Sequence, residues 1–234
     1  MSDYVKTDVS GESMKVLVAR PTGSGGPWPV IALMHHKGGI DEFPRAHAER
    51  LAREGYIVAV PELYHRTPGL PPDQALRALR DPEIIADIAA TLDLVAATEN
   101  VRPGANAILG HCMGGRLAFL GAIADRRFRA AVAYYSGNMF TPWGGDGPSP
   151  FERLGELHCP VAGFYGNEDK NPSPADVHKI DAELTRLGIR HTFHRYDKTG
   201  HAFQNFANAE GYRPAAAEDA WQKTLRFLAD ELAA

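Results

Sequence analysis

Cysteine is scarce in this chain, with two residues among 234. That number is too small for a disulfide-stapled scaffold and fits a reducing compartment. The opening residues, Met1 to Thr7, contain no apolar stretch of the kind that leads a secreted chain, so a cytoplasmic protein is expected. No run approaches the roughly 18 apolar residues of a membrane span, which argues against a membrane partner. Basic residues are not in surplus. The formal net charge is −4, which speaks against a nucleic-acid surface. Repeats, low-complexity tracts and long linkers are also missing, so one domain over residues 1–234 is the expectation. No metal is expected. His35 and His36 are neighbours on an expected strand end, and adjacent strand residues point to opposite faces; His111 stands elsewhere.

What the chain does contain is an alternation of strands and helices. Short apolar runs predict buried strands near residues 14–20, 30–34, 56–60, 105–109, 130–135, 161–165 and 191–196. Helical spacing predicts helices over 43–53, after Pro82, over 116–122, near 177–187 and over 215–232. The order implies an α/β fold whose central sheet is mainly parallel, with helices on both faces. Residues 64–72 and 138–150 are the least regular and are expected to be binding loops.

One segment stands out: Gly110-His111-Cys112-Met113-Gly114-Gly115, between an expected strand and an expected helix. A strand, a sharp turn, a nucleophile at the apex and glycines around it have the form of a nucleophile elbow, with Cys in place of Ser. The helix start would also aim backbone N–H groups at a forming oxyanion. In an open α/β sheet, functional side chains gather past the carboxyl ends of strands. Asp169 follows the strand at 161–165, with Glu168 as a competing acid, and His201 follows the strand at 191–196. The order Cys112, Asp169, His201 is that of an α/β-hydrolase triad. Histidine would hold the thiol as thiolate and protonate the leaving group, while the acid would fix the imidazole tautomer. Cys159 precedes Pro160 at the start of a strand and reads as a packing residue.

Pro61-Glu62-Leu63-Tyr64, the elbow, Tyr165-Gly166-Asn167-Glu168-Asp169 and Gly200-His201-Ala202-Phe203 together resemble the dienelactone hydrolases (carboxymethylenebutenolidases), over roughly residues 30–228. The resemblance implies an α/β-hydrolase fold and a Cys112–Asp169–His201 triad. It also implies an oxyanion hole made by the backbone N–H groups of Met113 and Lys37, and no cofactor. Two departures accompany it. His36 stands where similar members carry a Glu that meets the resting thiol. Asn205 stands where they carry an Arg for a substrate carboxylate, leaving Arg77 or Arg80 as substitutes. His36 is expected to face the elbow. Tyr64, Tyr135 and Phe203, with Phe140 and Trp143, are expected either to line the substrate pocket or to belong to the core.

Thiolate is a good leaving group, so a tetrahedral adduct of a plain alkyl ester tends to revert. Enol esters and other activated esters expel a weaker base and go forward. The expected activity is therefore hydrolysis of small activated esters or lactones through a thioester. A binding protein that kept the pocket without turnover, and a detoxification enzyme using Cys112 as a peroxide-reactive sulfur, are the alternatives. The second would usually need a resolving Cys nearby.

Overall fold

The apolar runs become the inner strands of one sheet. The computed structural model describes residues 2–23 and 25–233. Its strands are β1 (Ser2–Val9), β2 (Glu12–Ala19), β3 (Trp28–Met34), β4 (Ile57–Pro61), β5 (Val101–His111), β6 (Phe128–Tyr134), β7 (Val161–Gly166) and β8 (His191–Tyr196). They lie in the order β1-β2-β4-β3-β5-β6-β7-β8. From β4 to β8 all neighbours are parallel, while β1 and β2 run antiparallel at one edge.

Side chains on a strand alternate between faces, and both faces here are apolar. Val30, Ala32 and Met34 of β3 and Ile108 of β5 join one core, while Ile31, Leu33, Ala107 and Leu109 join the other. Each face needs a covering layer, because burying a Val or Leu side chain is worth roughly 1.5–3 kcal/mol. Helices α3 (Asp81–Thr98), α4 (Met113–Ala124) and α5 (Pro174–Arg186) cover the first face. Helices α1 (Glu42–Arg53) and α6 (Pro214–Leu232) cover the second. The short α2 (Pro72–Ala78) precedes α3. No helix among the described residues is long and apolar enough to cross a membrane.

Two of these elements, β1 and α2, were not expected from the sequence. β1 is polar and half of its residues are exposed, so it carries no apolar run; it pairs with β2 through a turn in which Ser10 and Gly11 both have positive φ, 56° and 87°. α2 buries only Ala75 and sits among prolines. The parallel topology then does the positioning. Lys37, Tyr64, Cys112, Asp169 and His201 follow β3, β4, β5, β7 and β8 in turn, so all five lie past the carboxyl end of the sheet.

Candidate active site

Cys112 is the N-cap of α4, with φ 58° and ψ −119°. A non-glycine residue held there stores on the order of 1–3 kcal/mol of strain. The surroundings hold it in place. Cys112 N–H donates to the Tyr134 carbonyl at 3.0 Å. A Cβ on Gly110 would stand 2.0 Å from the Gly114 oxygen, and one on Gly114 would stand 2.1 Å from the Met34 oxygen. Only glycine lets the first turn of α4 lie against its own strand and the end of β3.

Asp169 sits in the turn after β7 and is nearly inaccessible, its side chain 2% exposed against 35% for His201. One carboxylate oxygen, Oδ1, accepts the Asn171 N–H at 2.9 Å, and the other accepts from His201 Nδ1 at 2.8 Å. This carboxylate fixes the His201 tautomer and leaves Nε2 for the other side of the ring. Glu168 has an exposed side chain that takes no part. Burial pushes the Cys112 thiol up. The His201 ring and the backbone N–H groups of Met113 and Lys37 act on the sulfur in the opposite sense, and the net result lies below the ordinary thiol value. Burial likewise lowers His201, but the Asp169 carboxylate bonded to it and the Cys112 sulfur outweigh that and raise it. Both shifts favour a thiolate–imidazolium pair. The other free cysteine, Cys159, is buried, and its thiol is pushed up to about 12 by burial and by Glu231.

The segment after β3 is tied down at nearly every residue. His35 Nδ1 meets the His36 carbonyl at 2.7 Å, and the Gly39 N–H donates to the same oxygen at 3.0 Å. The Tyr64 hydroxyl donates to the Lys37 carbonyl at 2.9 Å. Lys37 Nζ reaches Asp73 at 3.1 Å. His36 is engaged elsewhere than with the thiol: its Nε2 bonds Asp41 Oδ2 at 2.9 Å and its ring meets Phe43 edge-on. Asp41 also caps α1 by accepting the Phe43 N–H, so the imidazole is tied to the helix start.

Of the aromatics expected in the pocket or the core, Phe203 and Tyr135 belong to the core. Phe203 is fully buried among Tyr134, Tyr135 and Tyr196, and Tyr135 is 1% exposed. The Tyr135 ring backs the His201 ring edge-on at 5.0 Å between centroids. An aromatic residue after a strand satisfies the hydrophobic layer first, and nothing in its sequence position tells which side of the histidine it takes. Tyr64 is half-buried and borders a cleft of about 660 Å³ with Gly38, Gly39, Lys15 and Glu62. Phe140 packs on Phe151, and Trp143 lies under a guanidinium. Arg80 donates to the Gly144 carbonyl at 2.9 Å, and Arg77 is exposed.

Sequence reasoning passed over two buried polar clusters. Arg116, fully buried in α4, makes a bidentate pair with Asp81 at 2.6 and 2.9 Å and donates to the carbonyls of Asn138 and Thr141. A lone Arg inside Met113-Gly114-Gly115-Arg116-Leu117-Ala118-Phe119 was the available signal. His111 points under the elbow, bonded to Gln204 at 2.6 Å and packed against His47 and Tyr134. Burial keeps both His111 and His47 neutral, His47 down to about 3.

The profile of the Dienelactone hydrolase family matches residues 14–232. A curated protein of Salmonella typhimurium named "Putative carboxymethylenebutenolidase" is 33% identical, over 94% of this chain and 83% of its own. A Bradyrhizobium protein named "Probable 2-oxo-3-(5-oxofuran-2-ylidene)propanoate lactonase" is 28% identical, over 97% of this chain and 93% of its own. Among solved structures, the "Putative Dienelactone Hydrolase from Klebsiella pneumoniae" superposes with TM-score 0.90 at 27% identity, covering 98% of both chains.

Proposed function

The chain belongs to the dienelactone hydrolase family, and from that premise we propose that it hydrolyses small activated esters or lactones with Cys112, His201 and Asp169 as a catalytic triad. The observation that carries this reading is the buried Asp169 bonded to His201 Nδ1 at 2.8 Å, with the same ring acting on the Cys112 sulfur at a strained elbow. The curated relatives named for carboxymethylenebutenolidase and lactonase activity support a lactone or enol ester as substrate.

The chemistry divides into two half-reactions. The thiolate attacks the acyl carbon, and the carbonyl π pair moves onto oxygen. That oxyanion is received by the N–H groups of Met113 and Lys37, which already act on the resting sulfur. Collapse breaks the C–O bond, and the His201 imidazolium gives its Nε2 proton to the leaving enolate. A thioester on Cys112 and a neutral imidazole remain. In the second half, His201 takes a proton from water as the oxygen attacks the thioester. A second oxyanion collapses, thiolate leaves, and the carboxylic product departs with the ion pair restored. Asp169 stabilises the imidazolium in both halves. Two thiolate-lowering donors and one imidazolium replace whatever an acid at position 36 would contribute, since His36 is engaged with Asp41.

Activity toward an aryl ester or an enol lactone tests the reading. Cys112→Ala is expected to lower kcat/KM by at least ~10³-fold, as removal of a triad nucleophile does, while Cys159→Ala keeps most of it. Mass spectrometry of quenched wild-type enzyme is expected to find the acyl group on Cys112. Equal residual activity in the two variants rejects the assignment.

A further inference from the structure

The peptide between His36 and Lys37 has two ends with different partners. Its N–H, on Lys37, acts on the Cys112 sulfur. Its carbonyl, on His36, is met by His35 Nδ1 at 2.7 Å and by the Gly39 N–H at 3.0 Å. The remaining nitrogen of His35, Nε2, lies 3.3 Å from the Leu63 N–H. A backbone N–H can only donate, so Nε2 must offer a lone pair. The ring proton is therefore on Nδ1, where a carbonyl waits for it. One tautomer satisfies both neighbours; the other puts lone pair against lone pair and N–H against N–H.

On the reading that Cys112 is acylated, we infer that His35 is a positioning residue for the oxyanion. Its imidazole, held as the Nδ1–H tautomer, fixes the His36–Lys37 peptide with the N–H end toward the Cys112 sulfur. A peptide is rigid and planar, so fixing its carbonyl fixes the direction of its N–H. Two donors on the carbonyl also polarise the far end, because hydrogen bonds in series strengthen one another. A donor aimed in advance need not reorganise as charge develops.

The rest of the neighbourhood agrees. His35 is 1% exposed, and its ring packs edge-on against Tyr64 at 5.1 Å between centroids. Tyr64 in turn holds the next carbonyl, that of Lys37. Leu63 and Tyr64 follow β4, whereas His35 follows β3. The imidazole is thus a peg between two adjacent loops, with the oxyanion peptide on one side. Burial keeps the ring neutral, lowering it to about 4, which preserves the single tautomer at neutral pH.

Two substitutions separate the ring's two contacts. In His35→Asn the amide nitrogen falls near Nδ1 and keeps the donor to the His36 carbonyl. In His35→Gln the amide oxygen falls near Nε2 and keeps the acceptor for Leu63, but the donor is lost. Each is compared with wild type in burst acylation by p-nitrophenyl acetate and in alkylation of Cys112 by iodoacetamide, which forms no oxyanion. His35→Gln is expected to slow acylation roughly 10- to 100-fold, short of losing an oxyanion donor outright. Alkylation should change by no more than about threefold, since His201 and Met113 still act on the thiolate. His35→Asn is expected to stay within about threefold of wild type in both.

Parallel slowing of acylation and alkylation overturns the inference, as does an Asn variant as slow as the Gln variant. Wild-type enzyme that gains no acyl mass on Cys112 instead overturns the triad reading, and this inference with it. Long-range ¹H–¹⁵N correlation spectroscopy of wild type applies even if a variant fails to fold. A proton on His35 Nδ1 is expected, and a proton on Nε2 overturns the proposal.

Discussion

The two thiols of this chain sit in opposite electrostatic settings. Cys112 is lowered by an imidazolium and two backbone donors despite its burial, whereas burial and Glu231 push Cys159 up to about 12. Thiolate is the reactive form, so iodoacetamide at pH 7 is expected to label Cys112 at least ~10²-fold faster than Cys159. Peptide mass spectrometry of a partly labelled sample measures the ratio, and a Cys112 rate that rises only above pH 8.5, like a free thiol, would sink the thiolate assignment. The carboxylates give a second contrast. Asp169→Asn removes the acceptor that fixes the His201 tautomer and should cost roughly 10²–10⁴ in kcat; exposed Glu168→Gln should cost less than about threefold. Steady-state kinetics showing the reverse order would exchange their roles. Preferring Asp169 to Glu168 rested on the family resemblance, but position after a strand was enough to place Cys112, Asp169 and His201 past the same end of the sheet from sequence. It was not enough for Tyr135, Phe203 or His36, because which side of the histidine an aromatic takes, and which partner an imidazole finds, depend on neighbours from distant segments.

At the scale of elements, α4 carries more than the elbow. Its fully buried Arg116 holds Asp81 at the start of α3, and Asp81 Oδ2 also accepts the Trp143 N–H at 3.0 Å. The guanidinium stacks 4.0 Å from the Trp143 ring. Two helix starts and the irregular stretch at 138–150 therefore meet on one side chain. Arg116→Ala leaves a largely buried carboxylate unpaired and three loop contacts unmade, so it is expected to destabilise the fold by about 3–5 kcal/mol. Urea unfolding measures that loss, and hydrogen exchange should show residues 138–143 opening in the variant before the sheet does. A loss below about 1 kcal/mol, the usual range for a surface pair, would show that the pair is dispensable. The apolar periodicity that reveals inner strands and long helices is silent about such a clamp. It is silent about β1 and α2 for the same reason: an edge strand with exposed polar alternation and a two-turn helix with one buried residue satisfy backbone hydrogen bonds without an apolar signature.

For the molecule as a whole, three imidazoles are sealed in neutral form near the carboxyl end of the sheet. Burial lowers His35 to about 4 and His47 to about 3, and holds His111 well below its ordinary value. In the unfolded chain each would take a proton near pH 6.5. Between that pH and the folded values, the unfolded state binds more protons, so stability rises with pH and falls as the solution is acidified. In the Cys112–His201 pair the thiol is lowered, whereas His201 is raised to about 10. Above about pH 8.5 the sign reverses, because the unfolded thiol loses its proton while the raised His201 keeps its own, so stability falls again as pH rises. Each sealed imidazole contributes up to about 1.4 kcal/mol per pH unit, so the three together approach roughly 4 kcal/mol per unit on the acid side. Urea unfolding at pH 7.5, 6.0 and 5.0, above the range where most carboxylates titrate, should show stability dropping steeply from the second value to the third. His47 has the simplest setting, packed on Phe43, His111 and Trp221, with Arg50 as the one charge acting on it and lowering it further. His47→Gln should therefore reduce the slope by about one proton while lowering stability at pH 7.5 by its packing loss alone. A wild-type stability flat between pH 7.5 and 5.0, or a variant slope equal to that of wild type, would mean that these rings protonate in place and that the interior tolerates the charge.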